Sequence, residues 1–134
     1  MNSKKLSIVL VVITLMISIS ACAFGEPTLS NIRTTKDENG NQTSSVFLTT
    51  DTIYVVGNLS NGVKGNVVSC KWIVSNVAGY KPGYVITQSD FTLEQDSFTY
   101  AINFYITPPT PAGAYKAEIY FNGVLNTTIE FTVQ

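Results

Sequence analysis

The stretch from Ala114 to Val133, AYKAEIYFNGVLNTTIEFTV, decides the fold class. Two runs of alternating apolar and polar residues flank the pair Asn122-Gly123. Asn-Gly between alternating runs is the strongest short-range signal for a β-hairpin, because a type I′ turn needs positive φ at both central residues. The sequence therefore predicts two antiparallel strands, 114–121 and 124–133, joined by a two-residue turn.

The chain after residue 28 has the same character throughout. Threonine, valine, isoleucine, tyrosine and phenylalanine dominate, and no segment has helical periodicity. Turn residues recur at intervals of roughly ten, which is typical of an all-β sandwich. We predict an all-β, seven-stranded antiparallel sandwich. Its other strands are 29–36, 52–59, 66–75, 84–88 and 97–107, and 46–48 is a candidate for a short edge strand.

Alternation is clearest in the third strand. Val68, Cys70, Trp72 and Val74 share one face, and Ile73 is an apolar exception on the other. Side chains two apart along a strand point to the same side of the sheet. We therefore predict that this face lies in the core and that Cys70 is a buried, inert thiol. The strand 97–107 alternates similarly, with these apolar residues on one face: Phe98, Tyr100, Ile102, Phe104 and Ile106.

Two features resemble the immunoglobulin-like sandwich. In that fold a buried tryptophan lies on strand C, and a tyrosine near the start of strand F holds the adjacent corner through its hydroxyl. The resemblance implies these roles for Trp72 and for Tyr115, which follows the proline-rich turn 107–111. The antibody disulfide has no counterpart, because Ala117 stands two residues after the tyrosine. The resemblance is one of architecture.

A second resemblance is to prokaryotic envelope proteins of uncharacterised type. These have an early F-x-x-x-D-x-I-Y pattern, here Phe47–Tyr54, and a strand-C tryptophan. They close with a P-x-G-x-Y-x-x-E-I-Y-x-N-G hairpin, here Pro111–Gly123, and with F-x-V, here Phe131–Val133. This resemblance implies a fold and carries no activity.

The N-terminus reads as an export signal. Lys4 and Lys5 precede an apolar run, Leu6–Ile19, that is short for a membrane-spanning helix. The tetrapeptide Ile19–Cys22 resembles the lipobox of prokaryotic lipoproteins. That resemblance implies cleavage before Cys22 and acylation of this cysteine with diacylglycerol and a fatty acid such as palmitate. An ordinary secretory signal or an uncleaved anchor are the alternatives.

These assignments divide the chain into a signal-peptide helix at 1–21, a tether at 22–28 and a sandwich domain at 29–134. We expect the domain to be held by lipid at the extracytoplasmic face of a cell membrane. The bilayer is then one partner, through acylated Cys22. Residues 22–134 carry six basic and nine acidic side chains, a net charge of −3. A mildly acidic domain without a basic stripe does not favour nucleic acid as a partner.

Cysteine counting agrees with lipidation. The chain has two cysteines, Cys22 and Cys70. If the first carries lipid, the second has no intramolecular partner and the domain folds without a disulfide. The chain is 45 % hydrophobic, which is enough to build a core at this size.

The sequence offers no recognisable catalytic apparatus. It has no histidine, which removes Ser-His-Asp triads, Cys-His pairs and histidine metal sites. The segment 37–41, DENGN, has oxygen ligands at alternate positions as calcium loops do, but Leu48 stands where a twelfth-position acid is needed. The same residues are typical of an ordinary turn. We therefore expect no enzyme activity, no metal and no cofactor.

The loops contain the most interesting side chains. In an immunoglobulin-like strand order the loops 37–45, 76–83 and 107–113 gather at one end. Rigid aromatic residues and prolines make contact surface at low entropic cost. The alternative is structural: prolines block edge pairing and tyrosines cover the sandwich end. The candidate partner-binding residues are Tyr80, Pro82, Tyr84, Pro108 and Pro109.

Three functional hypotheses compete. The first is a non-catalytic binding or assembly module for an envelope protein or a polysaccharide. The second is an immunoglobulin-like protease inhibitor, although the N-P-T-T-G type of motif found in chagasin-like inhibitors is missing. The third is a hydrolase that works with carboxylates alone. Sequons at Asn41, Asn58 and Asn126 would be glycosylated only in a suitable source organism, such as an archaeon.

Overall fold

The computed structural model describes residues 25–134, so the predicted signal peptide and Cys22 lie outside the described residues. All regular structure in this part of the chain is β-strand. There are eight strands: β1 (Thr28–Thr35), β2 (Val46–Phe47), β3 (Ile53–Gly62), β4 (Val67–Val77), β5 (Val85–Thr92), β6 (Ser97–Ile106), β7 (Gly113–Phe121) and β8 (Val124–Val133).

The strands form two sheets packed face to face. One has the order β1-β3-β6 and the other the order β2-β8-β7-β4-β5. This confirms the all-β sandwich, with β4 in the place of immunoglobulin strand C and β7 in the place of strand F. Two details correct the prediction. The short edge piece is an eighth strand, and it pairs in parallel with β8 through Val46 and Phe47, so the sandwich is not wholly antiparallel.

The predicted hairpin is confirmed in detail. Asn122 and Gly123 have φ values of 48° and 81°, as a type I′ turn requires. The Asn122 side chain adds a second function, because its Oδ1 accepts a hydrogen bond from Val67 N–H at 2.8 Å. Asn122 N–H donates to the Val67 carbonyl oxygen at the same distance. The hairpin tip is thereby fixed to the start of β4.

The core confirms the predicted face of β4. Val68, Cys70, Trp72 and Val74 are all fully buried. In the same sheet, the β8 residue Phe131 lies at the centre of an aromatic cluster. Its ring centroid is 5.4–5.9 Å from those of Phe47, Trp72 and Tyr115.

A bulge in β1 places one partly buried side chain, Ile32, against the core. The register of β1 against β3 changes between Ser30 and Arg33, and Asn31 has a φ of 55°. Ile32 then packs against Gly57 of β3 so closely that a Cβ on this glycine would collide with the isoleucine side chain. Gly57 is therefore needed for close approach between the strands.

In β6 the predicted inward face is buried for only half of its length. Ile102, Phe104 and Ile106 are in the core, whereas Tyr100 is partly exposed and stacks on Phe91 of β5 with a centroid distance of 4.9 Å. Phe98 is 75 % exposed. The inward-facing side of β6 therefore extends beyond the cover that the other sheet provides.

The connections gather at two opposite ends of the sandwich. One end, which we call the tether end, consists of residues 25–27, 62–66, 93–96 and 122–123. Two hydrogen bonds of 2.8 Å join its segments 62–66 and 93–96, one from Gly65 N–H to the Leu93 carbonyl and one from Lys64 N–H to Asp96 Oδ1. The loop end consists of residues 48–52, 77–84 and 107–112. Strand register places Thr28 beside Ser60 at the first end, so the described chain begins at the end away from the candidate loops.

Candidate functional site

The first part of the candidate site is the β4–β5 connection, which is built from two consecutive turns. Tyr80 N–H donates to the Val77 carbonyl and Tyr84 N–H to the Lys81 carbonyl, each at 3.1 Å. Gly79 and Gly83 have φ values of 86° and 88°, a region that other residues adopt only with strain. These two turns set the course of the loop, and we call residues 77–84 the tyrosine platform.

The platform presents two tyrosine rings. Tyr80 and Tyr84 are 45 % and 51 % exposed, and their ring centroids lie 5.5 Å apart at an interplanar angle of 49°. Their spacing falls in the range of favourable aromatic pairs, so each ring limits the motion of the other. An exposed ring with little freedom to lose is well suited to contact with a partner.

The second part is the β6–β7 connection, which is fixed at both sides. Thr110 is buried and its N–H donates to the Thr49 carbonyl at 3.0 Å. The Tyr115 hydroxyl donates to the Pro111 carbonyl at 2.6 Å. This is the corner contact that the immunoglobulin-like resemblance implied for Tyr115. Burial raises the pKa of this hydroxyl, and the nearby Tyr80 adds to the effect, so it stays protonated as a donor.

The two connections enclose a shallow cavity of about 220 Å³. Tyr80, Tyr84 and Pro109 line it, so three of the five candidate residues come together. Pro82 and Pro108 are exposed on the same loops but do not line it. The other lining residues were not among the five candidate partner-binding residues, and most of them lie at strand ends or in the turn 107–111: Val74, Ile86, Ile106, Thr107, Thr110, Pro111 and Tyr115.

The loop 37–45 differs from its expected place beside these two connections. Arg33 donates to the Gly40 carbonyl at 2.9 Å, and Asn103 of β6 donates to the Glu38 carbonyl at 3.0 Å. Residues 37–41 thus lie over the outer face of the three-stranded sheet, where they bury Val56. They contribute nothing to the cavity lining.

The DENGN segment is held as a turn by its own first residue. The Asp37 carboxylate accepts hydrogen bonds from Asn41 N–H at 3.0 Å and Gln42 N–H at 2.7 Å. The bond from Gln42 is the main reason that the pKa of this carboxyl group is lowered. Across residues 25–134, no three His, Cys, Asp or Glu side chains lie close enough together to hold a metal ion.

Comparison with known proteins gives a fold and no function. No protein-family model matches the sequence, and no curated protein sequence matches it either. Among solved structures, an alkylpurine DNA glycosylase from Pseudomonas fluorescens matches with a TM-score of 0.57 at 15 % identity, over 82 % of this chain and 31 % of that one. The C-terminal domain of wzt matches with a TM-score of 0.56 at 8 % identity, over 82 % and 74 % of the two chains.

A β-glucosidase from Listeria innocua matches with a TM-score of 0.53 at 10 % identity, over 81 % of this chain and 16 % of that one. The likeness is one of fold. This chain spans less than a third of the length of the glycosylase and about a sixth of the glucosidase. Within residues 25–134 no helix is both long and apolar enough to cross a membrane.

The Tyr115 corner gives the first prediction. The Tyr115→Phe variant keeps the ring stack on Phe131 and loses only the hydroxyl that donates to Pro111. We expect the free energy of unfolding to fall by about 1 kcal/mol, the net value of a typical protein hydrogen bond. Urea denaturation measures it. Tyr120→Phe, on the outer face of the same strand, is the matched control and should change stability by less than about 0.5 kcal/mol. Equal losses in both variants would contradict the role of the corner bond.

Proposed function

We propose that this chain is an extracytoplasmic lipoprotein whose sandwich domain is a non-catalytic binding or assembly module. Acylated Cys22 anchors it to the cell membrane, and the loop end meets a protein or polysaccharide partner. The observation that carries the proposal is the placement of the two ends. The tyrosine platform lies at the end of the sandwich opposite to Gly25, the third residue after the predicted lipid site.

The chemistry of the loop end supports binding. Tyr80 and Tyr84 expose aromatic surface beside a proline-lined hollow. Aromatic residues that are rigid before contact are the ones that contribute most to interfaces. A tilted ring pair beside a shallow hollow can take either the apolar face of a sugar or a side chain of a protein partner.

The charges near the loop end do not resemble an acid–base pair. Lys36 and Asp51 form an ion pair at 3.3 Å, and Asp51 also accepts a hydrogen bond from Leu48 N–H at 2.8 Å. The backbone hydrogen bond and the lysine lower the pKa of this carboxyl group. Asp51 thus lacks the raised pKa that a general acid needs, and its contacts with Leu48 and Lys36 hold the loop. This favours a binding module over a carboxylate hydrolase.

Alanine substitutions at the platform test the proposal. We expect Tyr80→Ala and Tyr84→Ala each to weaken partner binding by about tenfold or more, as loss of an aromatic anchor does. The melting temperature should stay nearly unchanged because both rings are half exposed. The partner is identified by cross-linking in the intact envelope with mass spectrometry, and glycan arrays cover polysaccharides.

Tyr105→Ala is the matched control for this experiment. Tyr105 is similarly exposed but lies on β6 against Tyr54, in an outward position of the three-stranded sheet. It should retain the partner. If the platform variants retain it as well, the loop end is not the binding surface.

A further inference from the structure

The tether end exposes more apolar surface than a solvent-facing end of a sandwich needs. Phe98 is 75 % exposed and Val124, at the tip of the β7–β8 hairpin, is 69 % exposed. Val63 in the β3–β4 connection and Leu125 are also exposed. Scattered single apolar residues are ordinary on a surface, but several at one end of a small domain indicate an interaction site.

Phe98 has the position of a core residue. It follows the same alternation as Ile102, Phe104 and Ile106, which are all buried. Beside it lies an open, mainly apolar hollow of about 250 Å³, and Val63 and Gly25 line this hollow with it. Phe98 is the most exposed of the large apolar side chains in residues 25–134.

The beginning of the described chain is held against the same hollow. Gly25 lies so close to Asn61 at the end of β3 that a Cβ on this glycine would be 2.7 Å from the asparagine Nδ2. Cys22 precedes Gly25 by three residues. Three residues span at most about 10 Å even when fully extended. A lipid on Cys22 therefore brings the bilayer to within about 10 Å of Gly25, which lines the same hollow as the exposed phenylalanine.

The charges at the tether end do not favour an electrostatic interaction with a partner. Among the described residues of the tether end, Lys64 is the one basic residue, and the same segments contain three acids, Glu26, Glu94 and Asp96. This balance does not attract anionic headgroups or nucleic acid. Apolar contact is the interaction that remains.

We infer that the tether end rests on the lipid bilayer, with Phe98, Val63 and Val124 inserted at the boundary between headgroups and acyl chains. The inference rests on the membrane anchoring in the proposed function and adds an orientation to it. Interfacial apolar side chains enter a membrane to a depth of about 5–10 Å. The strands then stand away from the membrane, and the ten residues of β3 raise the loop end by about 30 Å.

Depth-dependent fluorescence quenching tests this orientation. The full-length F98W variant is extracted from membranes and reconstituted into phosphatidylcholine vesicles whose acyl chains carry bromine near the glycerol. Quenching by bromine needs close contact. We expect the introduced indole to lose about half of its emission or more, as insertion at the interface requires. The buried Trp72 also fluoresces, and the wild-type protein in the same vesicles measures this background emission.

L48W is the matched control. Leu48 is an exposed aliphatic residue at the loop end, outside the lining of the tyrosine platform. We expect no quenching beyond background for L48W and clear quenching for V124W. Quenching of F98W and V124W but not of L48W supports the inference. Vesicle-bound F98W that stays unquenched overturns it, and so does equal quenching at both ends.

Two further readings separate this inference from the proposed function. The mass of the N-terminal peptide reports whether Cys22 carries lipid, independently of quenching. An unlipidated peptide with quenched F98W contradicts the lipoprotein and leaves the membrane-facing surface standing, because an uncleaved N-terminal segment would anchor the same end. A blue-shifted but unquenched F98W emission means that another part of this chain or a second copy covers Phe98, which overturns the inference.

Discussion

Replacing Phe131 by alanine should lower the free energy of unfolding by about 3–5 kcal/mol, the range for phenylalanine truncation in well-packed cores. Phe131 is 3 % exposed and stacks on Tyr115 at 5.4 Å with an interplanar angle of 9°. Its ring meets those of Phe47 and Trp72 in edge-to-face geometry. These contacts join β2, β4, β7 and β8, so one truncation opens a cavity that four strands share.

Urea denaturation of the variant beside two others measures this loss. Phe98→Ala removes the same atoms from an exposed site and should cost less than about 0.5 kcal/mol. Domains of this size are stable by only about 5–15 kcal/mol, so Phe131→Ala can approach complete unfolding. Phe131→Leu keeps most of the volume and should lose about 1–2 kcal/mol while remaining folded. Similar losses at positions 98 and 131 would contradict the assignment of the core.

The parts of the fold that local sequence determines were predictable. Asn122-Gly123 specifies its turn without help from the rest of the chain, and the β4 residues around Trp72 alternate with Ile73 as the one apolar exception. The Tyr115 corner was implied by the resemblance to the immunoglobulin-like sandwich, through a tyrosine that follows a proline-rich turn. In each case the information lies within a few residues.

The missed features depend on contacts that are distant in sequence. The parallel β2–β8 pair joins two residues to a strand 86 positions later, and nothing near Val46 indicates it. At the β1 bulge Ile32 fills the space above Gly57, a match between two strands that neither contains alone. Segment 37–41 covers Val56 through hydrogen bonds to Arg33 and Asn103.

The candidate site followed the same rule. Tyr80 and Tyr84 could be placed together because one short loop holds both, and Pro109 joins them because β6 and β7 end at the same side. Which prolines face the hollow depends on the course of the backbone through 107–112, which composition does not specify. The exposure of Phe98 was missed because alternation predicts only the face of the strand on which a residue lies. It does not predict where along the strand the opposite sheet ends.

Raising the pH above 9 should destabilise the domain through Cys70. This thiol is free and fully buried between the sheets, and burial raises its pKa from 9.0 to about 12. The unfolded chain loses the thiol proton first as pH rises. The neutral thiol therefore contributes stability that is fully present below pH 9 and is lost as pH approaches 12. The expected slope is about 1.4 kcal/mol per pH unit within this window.

Urea denaturation at neutral pH and near pH 11 measures this loss, and Cys70→Ala is its matched control. The variant starts from a lower stability because it leaves a small cavity, but it has no thiol to ionise. Burial also raises the pKa of Tyr115 and so adds alkaline sensitivity of the same sign in both proteins. The difference between them isolates the cysteine, and it should shift against the wild-type protein by about 2.5 kcal/mol between neutral pH and pH 11. A constant difference would mean that Cys70 ionises freely in the folded domain, and the inward face of β4 would then be wrong.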